Sequence, residues 1–314
     1  MKNILLITLL IFTSLNCNQN KSNSTNRNGS NSNNAINSSN TINSDSASIK
    51  LYAQKNVLSS IGKFEIFSLT EREGVGNVNI LIDPPADVLQ KFAPDSTFAN
   101  SVRAFLIKTD KEIYLVDTGF GRDIFSQMDS LGVSPDMVTS VLITHMHGDH
   151  IGGLLINGKP TFPNAKIVVS AKEFEYWTSK TEMTKLPENR RGNFTIAQKI
   201  FDLYGPRVHV QQPAMLALDG NNSYQDFPDG IQMIAAYGHT PGHVMYLVKD
   251  GAQELLIWGD LMHAYGIQTA HPEISVKYDI DPVMASQTRI QVLRYTKAKN
   301  IPAIGMHMPS NSYL

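Results

Sequence analysis

Cysteine is almost missing from this chain: among 314 residues there is one, Cys17. No internal disulfide can form, so whatever folds must be stable on its core alone. An excess of charge of either sign is missing too. Lys and Arg total 27 against 28 for Asp and Glu, and this balance leaves no electrostatic footprint for nucleic acid or an anionic membrane surface. Past the first residues no apolar run reaches the roughly eighteen residues of a bilayer-spanning helix. An apolar content of 42% is compatible with a real core, and the length suits one large domain or two ordinary ones.

The start does not read as part of the fold. Met1-Lys2-Asn3 supplies a positive end, and Ile4 to Leu15 is apolar, too short to span but suited to an export signal. Cys17 stands directly after it, a placement that resembles a bacterial lipoprotein signal, although Ser14-Leu15-Asn16 departs from the usual residues before the cysteine. From Asn18 to Ser48, Asn and Ser make up 20 of 31 positions, and such a segment cannot bury enough surface to offset its ordering entropy. The expected organisation is a signal over 1–17, a tether over 18–48 and one folded domain over 49–314. The protein is expected to be periplasmic or anchored at the outer membrane, touching a membrane only through the lipid on Cys17.

Within the domain, Phe64, Ile66 and Phe67 suggest a first strand, and Val78, Ile80 and Ile82 alternate as a second, stopped by Asp83-Pro84-Pro85. Residues 86–100 read as a loop with a short helix at most, in which Phe92 and Phe98 are candidates for core packing or a site rim. Arg103–Ile107 and Glu112–Val116 form a hairpin, followed by Asp117-Thr118-Gly119. Ile124, Met128 and Leu131 recur at helical spacing. Ile167–Val169 is a strand, Ala171–Trp177 a helix with an aromatic face, and Thr178–Gly205 a polar, mostly helical insertion. A second β-rich half follows in Val208–Val210, Ile231–Ala235, Val244–Val248 and Glu254–Trp258. Asp281-Pro282 opens a last helix to Lys299, with Val283, Gln287, Ile290 and Leu293 as its expected buried face. Strands followed by helices, twice over, predict an α+β protein: two mixed sheets face to face with helices outside, an αβ/βα sandwich of four layers.

Chemistry concentrates between Ser140 and Gly153. Val141, Leu142 and Ile143 read as a buried strand that stops at His145-Met-His147-Gly-Asp149-His150. In an extended segment alternate residues share a face, so His145 and His147 point together, while Asp149 and His150 can turn towards a neighbouring point. Neutral imidazoles and a carboxylate suit zinc or a similar divalent ion. Three later strand ends carry the same residue types: Gly-His239-Thr-Pro-Gly-His243, Gly259-Asp260 and Gly305-Met-His307. Strands are rigid supports on which a site with several ligands can be assembled.

Together these motifs, in this order, resemble the metallo-β-lactamase superfamily, over roughly Phe64 to His307. For that family's two-metal members the resemblance implies two zinc ions, with His145, His147 and His239 on one and Asp149, His150 and His307 on the other. Asp260 would bridge them beside a bridging hydroxide that acts as nucleophile, and Asp149 could orient it or shuttle its proton. His243 and Asp117 are expected to hold ligands in place rather than touch metal. An acid at position 260 resembles lactonases, thioesterases and phosphotriesterases of the superfamily more than its β-lactamases. The stretch Gly259-Asp260-Leu-Met-His263, with Tyr278-Asp-Ile-Asp-Pro282 and Arg289, is similar to a branch of organophosphate hydrolases, aryl-esterases and exported N-acyl homoserine lactonases. Lactone opening is the first expectation, with organophosphate or aryl-ester hydrolysis the alternative and a β-lactamase or a non-catalytic metal-binding protein further behind. His263 stands where well-known lactonases carry tyrosine; it either donates to the substrate carbonyl or lines the pocket. The expected partner is a small lactone or ester, with no nucleic acid, and a homodimer stays open. The chain ends seven residues after His307, whereas relatives continue through an aromatic loop, so a shortened rim or a truncated sequence is expected.

Overall fold

The computed structural model describes residues 57–216, 230–309 and 312. The expected signal, Cys17, the tether and a domain start near Ile49 lie outside the described residues, as do all but one of the last five positions. Among the described residues no helix is long and apolar enough to cross a membrane.

Thirteen strands are described, and eleven of them build two mixed sheets. The first sheet runs β1 (Ser59–Ile61), β2 (Phe64–Asn77), β3 (Thr97–Lys108), β4 (Ile113–Val116), β5 (Ser140–Leu142), β8 (Lys166–Ser170), β9 (Val208–Gln211). It is antiparallel up to β4 and parallel from β4 onward. Between β5 and β8 a small hairpin, β6 (Leu155–Ile156) and β7 (Lys159–Pro160), stands apart. The second sheet runs β10 (Ile231–Ala235), β11 (Val244–Asp250), β12 (Gln253–Ile257), β13 (Ala303–Ile304), with only β12 and β13 parallel.

Strand alternation sorts the side chains into layers. Phe105 and Ile107 of β3 point inward to meet Val244, Tyr246 and Val248 of β11, forming the core between the sheets. Ala104 and Leu106 point the other way, under helices Ile124–Ser130, Ala171–Thr178 and Gly192–Tyr204, which contribute Met128, Trp177, Phe194 and Phe201. Met245 and Leu247 face out beneath helix Pro282–Lys299 through Val292 and Tyr295. The result is the expected four-layer αβ/βα sandwich.

Several local expectations are corrected. Val78-Asn-Ile80 is a turn of 3₁₀ helix rather than a strand, because the Asn77 side chain accepts from the Asn79 N–H at 2.9 Å and folds the chain there. Val78 and Leu81 are buried in a small cluster with Val88, Phe98, Ile267 and Val276, Ile80 packs against it, and Leu81 forms only an isolated bridge to Val276. Residues 86–100 hold a helix, Ala86–Phe92, and the start of β3. Strand β9 belongs to the first sheet, pairing Ile167 with Val208 in parallel: the helices between β8 and β9 act as a crossover that returns the chain beside its starting strand. The last helix buries Ala285, Arg289, Val292, Tyr295 and Thr296, while Val283 is 66% exposed. Gly238 explains the choice of face, since a Cβ there would stand 2.2 Å from the Ala285 nitrogen. The helix docks through its small residue against that glycine.

Candidate metal centre

Both sheets deliver their chemistry at strand ends on one edge of the sandwich. From β4 comes Asp117, from β5 Thr144, His145 and His147, from β10 His239, from β12 Asp260 and from β13 His307. His147 precedes the short helix Gly148–Ile151, whose turn brings Asp149 and His150 back to the same place. Parallel pairing of β4 with β5 and of β12 with β13 makes these ends neighbours. Gly259, with φ of +60°, gives Asp260 its direction, and a Cβ there would lie 2.5 Å from His243 Nε2.

The structure brings all seven expected donors together. Histidine and acid atoms group as His145–His147–His239 and as Asp149–His150–His307, and Asp260 joins both sides through His145–His150–Asp260. Asp260 Oδ1 is 3.1 Å from His150 Nε2, and its Oδ2 is 3.4 Å from His239 Nε2 and 3.1 Å from His307 Nε2. A further group, His239–Asp260–His263, includes His263, whose Nε2 is 3.1 Å from Asp260 Oδ2 and whose ring stacks on His307.

Three of the rings are aimed by a bond on the far side, while His147 Nδ1 faces His239 Nε2 at 3.0 Å. His150 Nδ1 is 2.6 Å from Asp117 Oδ2, His239 Nδ1 is 2.8 Å from Asp279 Oδ1, and His307 Nδ1 is 2.7 Å from the Ser101 carbonyl. The acceptors behind the three rings call for a proton on Nδ1 and aim Nε2 at the cluster. His243 has both nitrogens engaged, donating to the Ala236 carbonyl at 2.9 Å and accepting the Asp260 N–H at 3.0 Å. It supports Asp260 from behind and has no atom left for an ion.

The electrostatics suit cations. Burial, helped by neighbouring imidazoles, holds His145, His147 and His239 well below the usual imidazole range, in the neutral form that binds metal. Burial also opposes a charge on His150, yet Asp260, Asp117 and Asp149 outweigh it and hold that ring well above its ordinary value. For Asp260 burial favours the neutral acid, but His150, His307, His263 and His145 keep it well down, as a carboxylate. His145 Nε2 is buried with no hydrogen-bond partner, and the buried His150 Nε2 and Asp260 Oδ1 have only each other, 3.1 Å apart. Leaving a buried polar atom unsatisfied costs about 1–3 kcal/mol, so a bare imidazole nitrogen beside a buried His–Asp pair marks a place built for something other than protein. Nitrogen and carboxylate donors fit zinc or a similar divalent ion.

Above the cluster opens a cavity of about 670 Å³, floored by His147, Asp149, Asp260, His263 and His307 and walled by Val75, Ile80, Phe98, Phe120 and Tyr278. Phe98 both packs in the core and lines this wall, whereas Phe92 packs outside it, edge-on to His271. Of the helical insertion, Asn193 reaches the rim. Two acids that the sequence did not single out serve the site. Asp279 orients His239 and is itself held by the Val276 N–H at 3.0 Å. Glu173 bonds to the segments of His145 and His239 alike. Its spacing after Ser170 reads as an ordinary capping box, which hides this second use; the acid four residues before Trp177 on one helix face was the available signal.

The chain is similar to known proteins. A family profile described as the metallo-beta-lactamase superfamily matches residues 98–300. A probable metallo-hydrolase of Mycobacterium tuberculosis is 25% identical over 228 residues, 65% of this chain and 70% of that protein. The N-acyl homoserine lactonase AttM of Azorhizobium caulinodans is 32% identical over 125 residues, 40% of this chain and 41% of that protein. Among solved structures, AidC, described as a dizinc quorum-quenching lactonase in complex with a product, is similar in fold with a TM-score of 0.71 at 23% identity, over 81% of this chain and 91% of that one.

Proposed function

The chain belongs to the metallo-β-lactamase superfamily as a metallo-hydrolase, and from that premise we propose that it opens the lactone ring of N-acyl homoserine lactones with two zinc ions. His145, His147 and His239 would hold one ion, Asp149, His150 and His307 the other, and Asp260 both. When bound, such ions supply an activated water and a Lewis acid for the ester carbonyl.

The observation that carries the reading is the cavity: a floor of metal-type donors beside a wall of Val75, Ile80, Phe98 and Phe120. An acyl homoserine lactone has the matching polarity, with an ester and amide at one end and an apolar chain at the other. Asp149, its side chain 25% exposed at the floor, is the group placed to take a proton from the attacking water and return it to the leaving alkoxide. His263 lines the floor of the cavity, and we assign it to the substrate carbonyl or amide. The likeness to a lactonase of Azorhizobium caulinodans, over 40% of the chain, supports the same substrate class. Organophosphate or aryl-ester hydrolysis is the second reading, supported by the aromatic faces of Phe98, Phe120 and Tyr278 around the cavity.

The deciding experiment follows proton release by the zinc-loaded protein with short- and long-chain acyl homoserine lactones, beside paraoxon-type triesters, aryl acetates and a cephalosporin. Lactone turnover at least tenfold above every other class is expected. Fast triester turnover with none on lactones would replace the first reading by the second, and two bound ions without turnover on any of them would make the protein a binder. Export, lipidation of Cys17 and a tether over Asn18–Ser48 belong to the same proposal. Fatty-acid labelling of the wild type, abolished by Cys17→Ser, is the expected result; sedimentation of the exported protein reads whether it is a homodimer.

A further inference from the structure

Helix Ala171–Thr178 supplies none of the seven donors, yet its buried acid ties together the two segments that carry three of them. Glu173 Oε1 accepts the N–H of Met146, the residue between His145 and His147, at 2.9 Å, and the Trp177 indole N–H at 2.5 Å. Its Oε2 accepts the Thr240 hydroxyl at 2.7 Å and the Gly242 N–H at 3.0 Å, both in the turn that begins at His239. The start of the helix is fixed to the same turn, because the Ser170 hydroxyl donates to the Gly242 carbonyl at 2.5 Å. Contact is so close that a Cβ on Gly242 would lie 2.0 Å from the Glu173 nitrogen. One turn further on, Trp177 meets the His147 ring edge-on, with centroids 5.8 Å apart.

A fully buried carboxylate is a poor choice if stability alone is wanted, since apolar residues of similar volume often serve as well or better. It does supply fixed distances. His145 and His147 follow β5 of the first sheet, His239 follows β10 of the second, and three ligands from two sheets must converge to within about half an ångström to bind one ion well. Both oxygens of Glu173 are needed, one for each segment.

We propose that Glu173 is a positioning residue of the metal centre, setting the separation of His145 and His147 from His239 and with it the affinity of the ion those three hold. The other side hangs from different supports, Asp117 behind His150 and the Ser101 carbonyl behind His307, so the effect is confined to one of the two ions. The inference rests on the two-ion reading above.

Glu173→Gln tests it at nearly constant shape. Either oxygen replaced by an NH₂ would face two donors. The better orientation turns the amide towards Thr240, whose hydroxyl can accept, and leaves the Gly242 N–H unpaired, so the loss falls on the His239 turn. The metal-free full-length protein is titrated with Co²⁺, reading calorimetry and the cobalt d–d spectrum together. Wild type should bind two ions. Glu173→Gln should bind one ion as wild type does and the other at least tenfold more weakly, the scale at which residues behind metal ligands act, with an altered d–d band for the weakened site. Thr240→Val keeps the carboxylate and removes one of its donors; a loss of a few-fold at the same site is expected. Affinities within twofold of wild type at both sites and an unchanged spectrum in Glu173→Gln overturn the proposal, as does an equal loss at both. Should Glu173→Gln fail to fold, unchanged affinities in Thr240→Val overturn it instead. A wild type that binds fewer than two ions defeats the two-ion reading itself, a result separate from any difference between variants.

Discussion

Asp117→Asn should weaken the ion held through His150 by roughly thirtyfold or more without disturbing the backbone. Asp117 sits at φ of +58°, a conformation that Asn adopts almost as readily as Asp, so the turn itself survives. The side chain is where the change is felt. Oδ1 accepts the Thr144 N–H at 2.8 Å, and Oδ2 accepts both the Thr144 hydroxyl at 2.6 Å and His150 Nδ1 at 2.6 Å. Burial pushes the Asp117 carboxyl up, and the opposing pull of His150 and Thr144 is what the carboxylate gains from its partners. An amide has two orientations, and both fail. With NH₂ in place of Oδ1, a buried backbone N–H faces a donor, at a cost of about 1–3 kcal/mol, and the charge-assisted bond to His150 becomes a neutral one. With NH₂ in place of Oδ2, His150 Nδ1 must accept, so its proton moves to Nε2, the nitrogen that should hold the ion. The cheaper route adds the unpaired N–H to the weaker bond, about 2–4 kcal/mol, and each 1.4 kcal/mol is tenfold in affinity. Competition of zinc between the protein and a chromophoric chelator measures it directly, with thermal unfolding of the metal-free form as the control for global damage. A loss below threefold would mean that Asp117 does not orient His150 and that the ring is held by packing alone.

Other changes reach the centre by different routes. Asp260→Asn removes the one carboxylate placed between both groups of histidines and should cost at least one of two bound zinc ions and about a hundredfold in turnover; metal analysis and rate unchanged from wild type would refute a shared ligand. Removing metal with a chelator should abolish hydrolysis and lower the unfolding temperature, both restored by zinc, because buried donors are then left unsatisfied; activity that persists in verified metal-free protein would end the metal reading. In the metal-free protein, burial lowers His243 to about 4, below the ordinary value near 6.5 of an unfolded chain. Its contribution to stability is therefore complete above about pH 6.5 and is lost as pH falls towards 4. An NMR titration of the His243 ring should show a midpoint near 4, and one near 6.5 would contradict its burial between Ala236 and Asp260.

Much of the fold could be read locally. The hairpin of β3 and β4, the helix opened by Asp281-Pro282 and the strands ending at His145 and Asp260 each carry their own periodicity and stop signals, and each stands where expected. Errors arose where a local pattern had two physical meanings. Val78, Ile80 and Ile82 alternate as a strand would, but a side-chain bond at Asn77 turns the chain, and Val78 and Ile80 pack with Leu81 in a cluster instead. On the last helix, the stripe through Val283 and Gln287, both exposed, is as plausible in sequence as the true one, and the close approach of Gly238 to Ala285 selects between them.

The donors and the rigid places that present them are legible along the chain. His145, His147, Asp149 and His150 are near neighbours in the chain, and His239, Asp260 and His307 each follow an apolar strand, so chemistry and support are both visible in one dimension. What aims and separates them comes from packing between distant segments. The Ser101 carbonyl behind His307 belongs to a backbone every residue has, Asp279 lies 40 positions from His239, and Glu173 looks like a helix cap until Met146 and Thr240 are seen on its two oxygens. Ligand type is a property of a residue, but ligand direction comes from partners distant in sequence, brought near by the packing of two sheets.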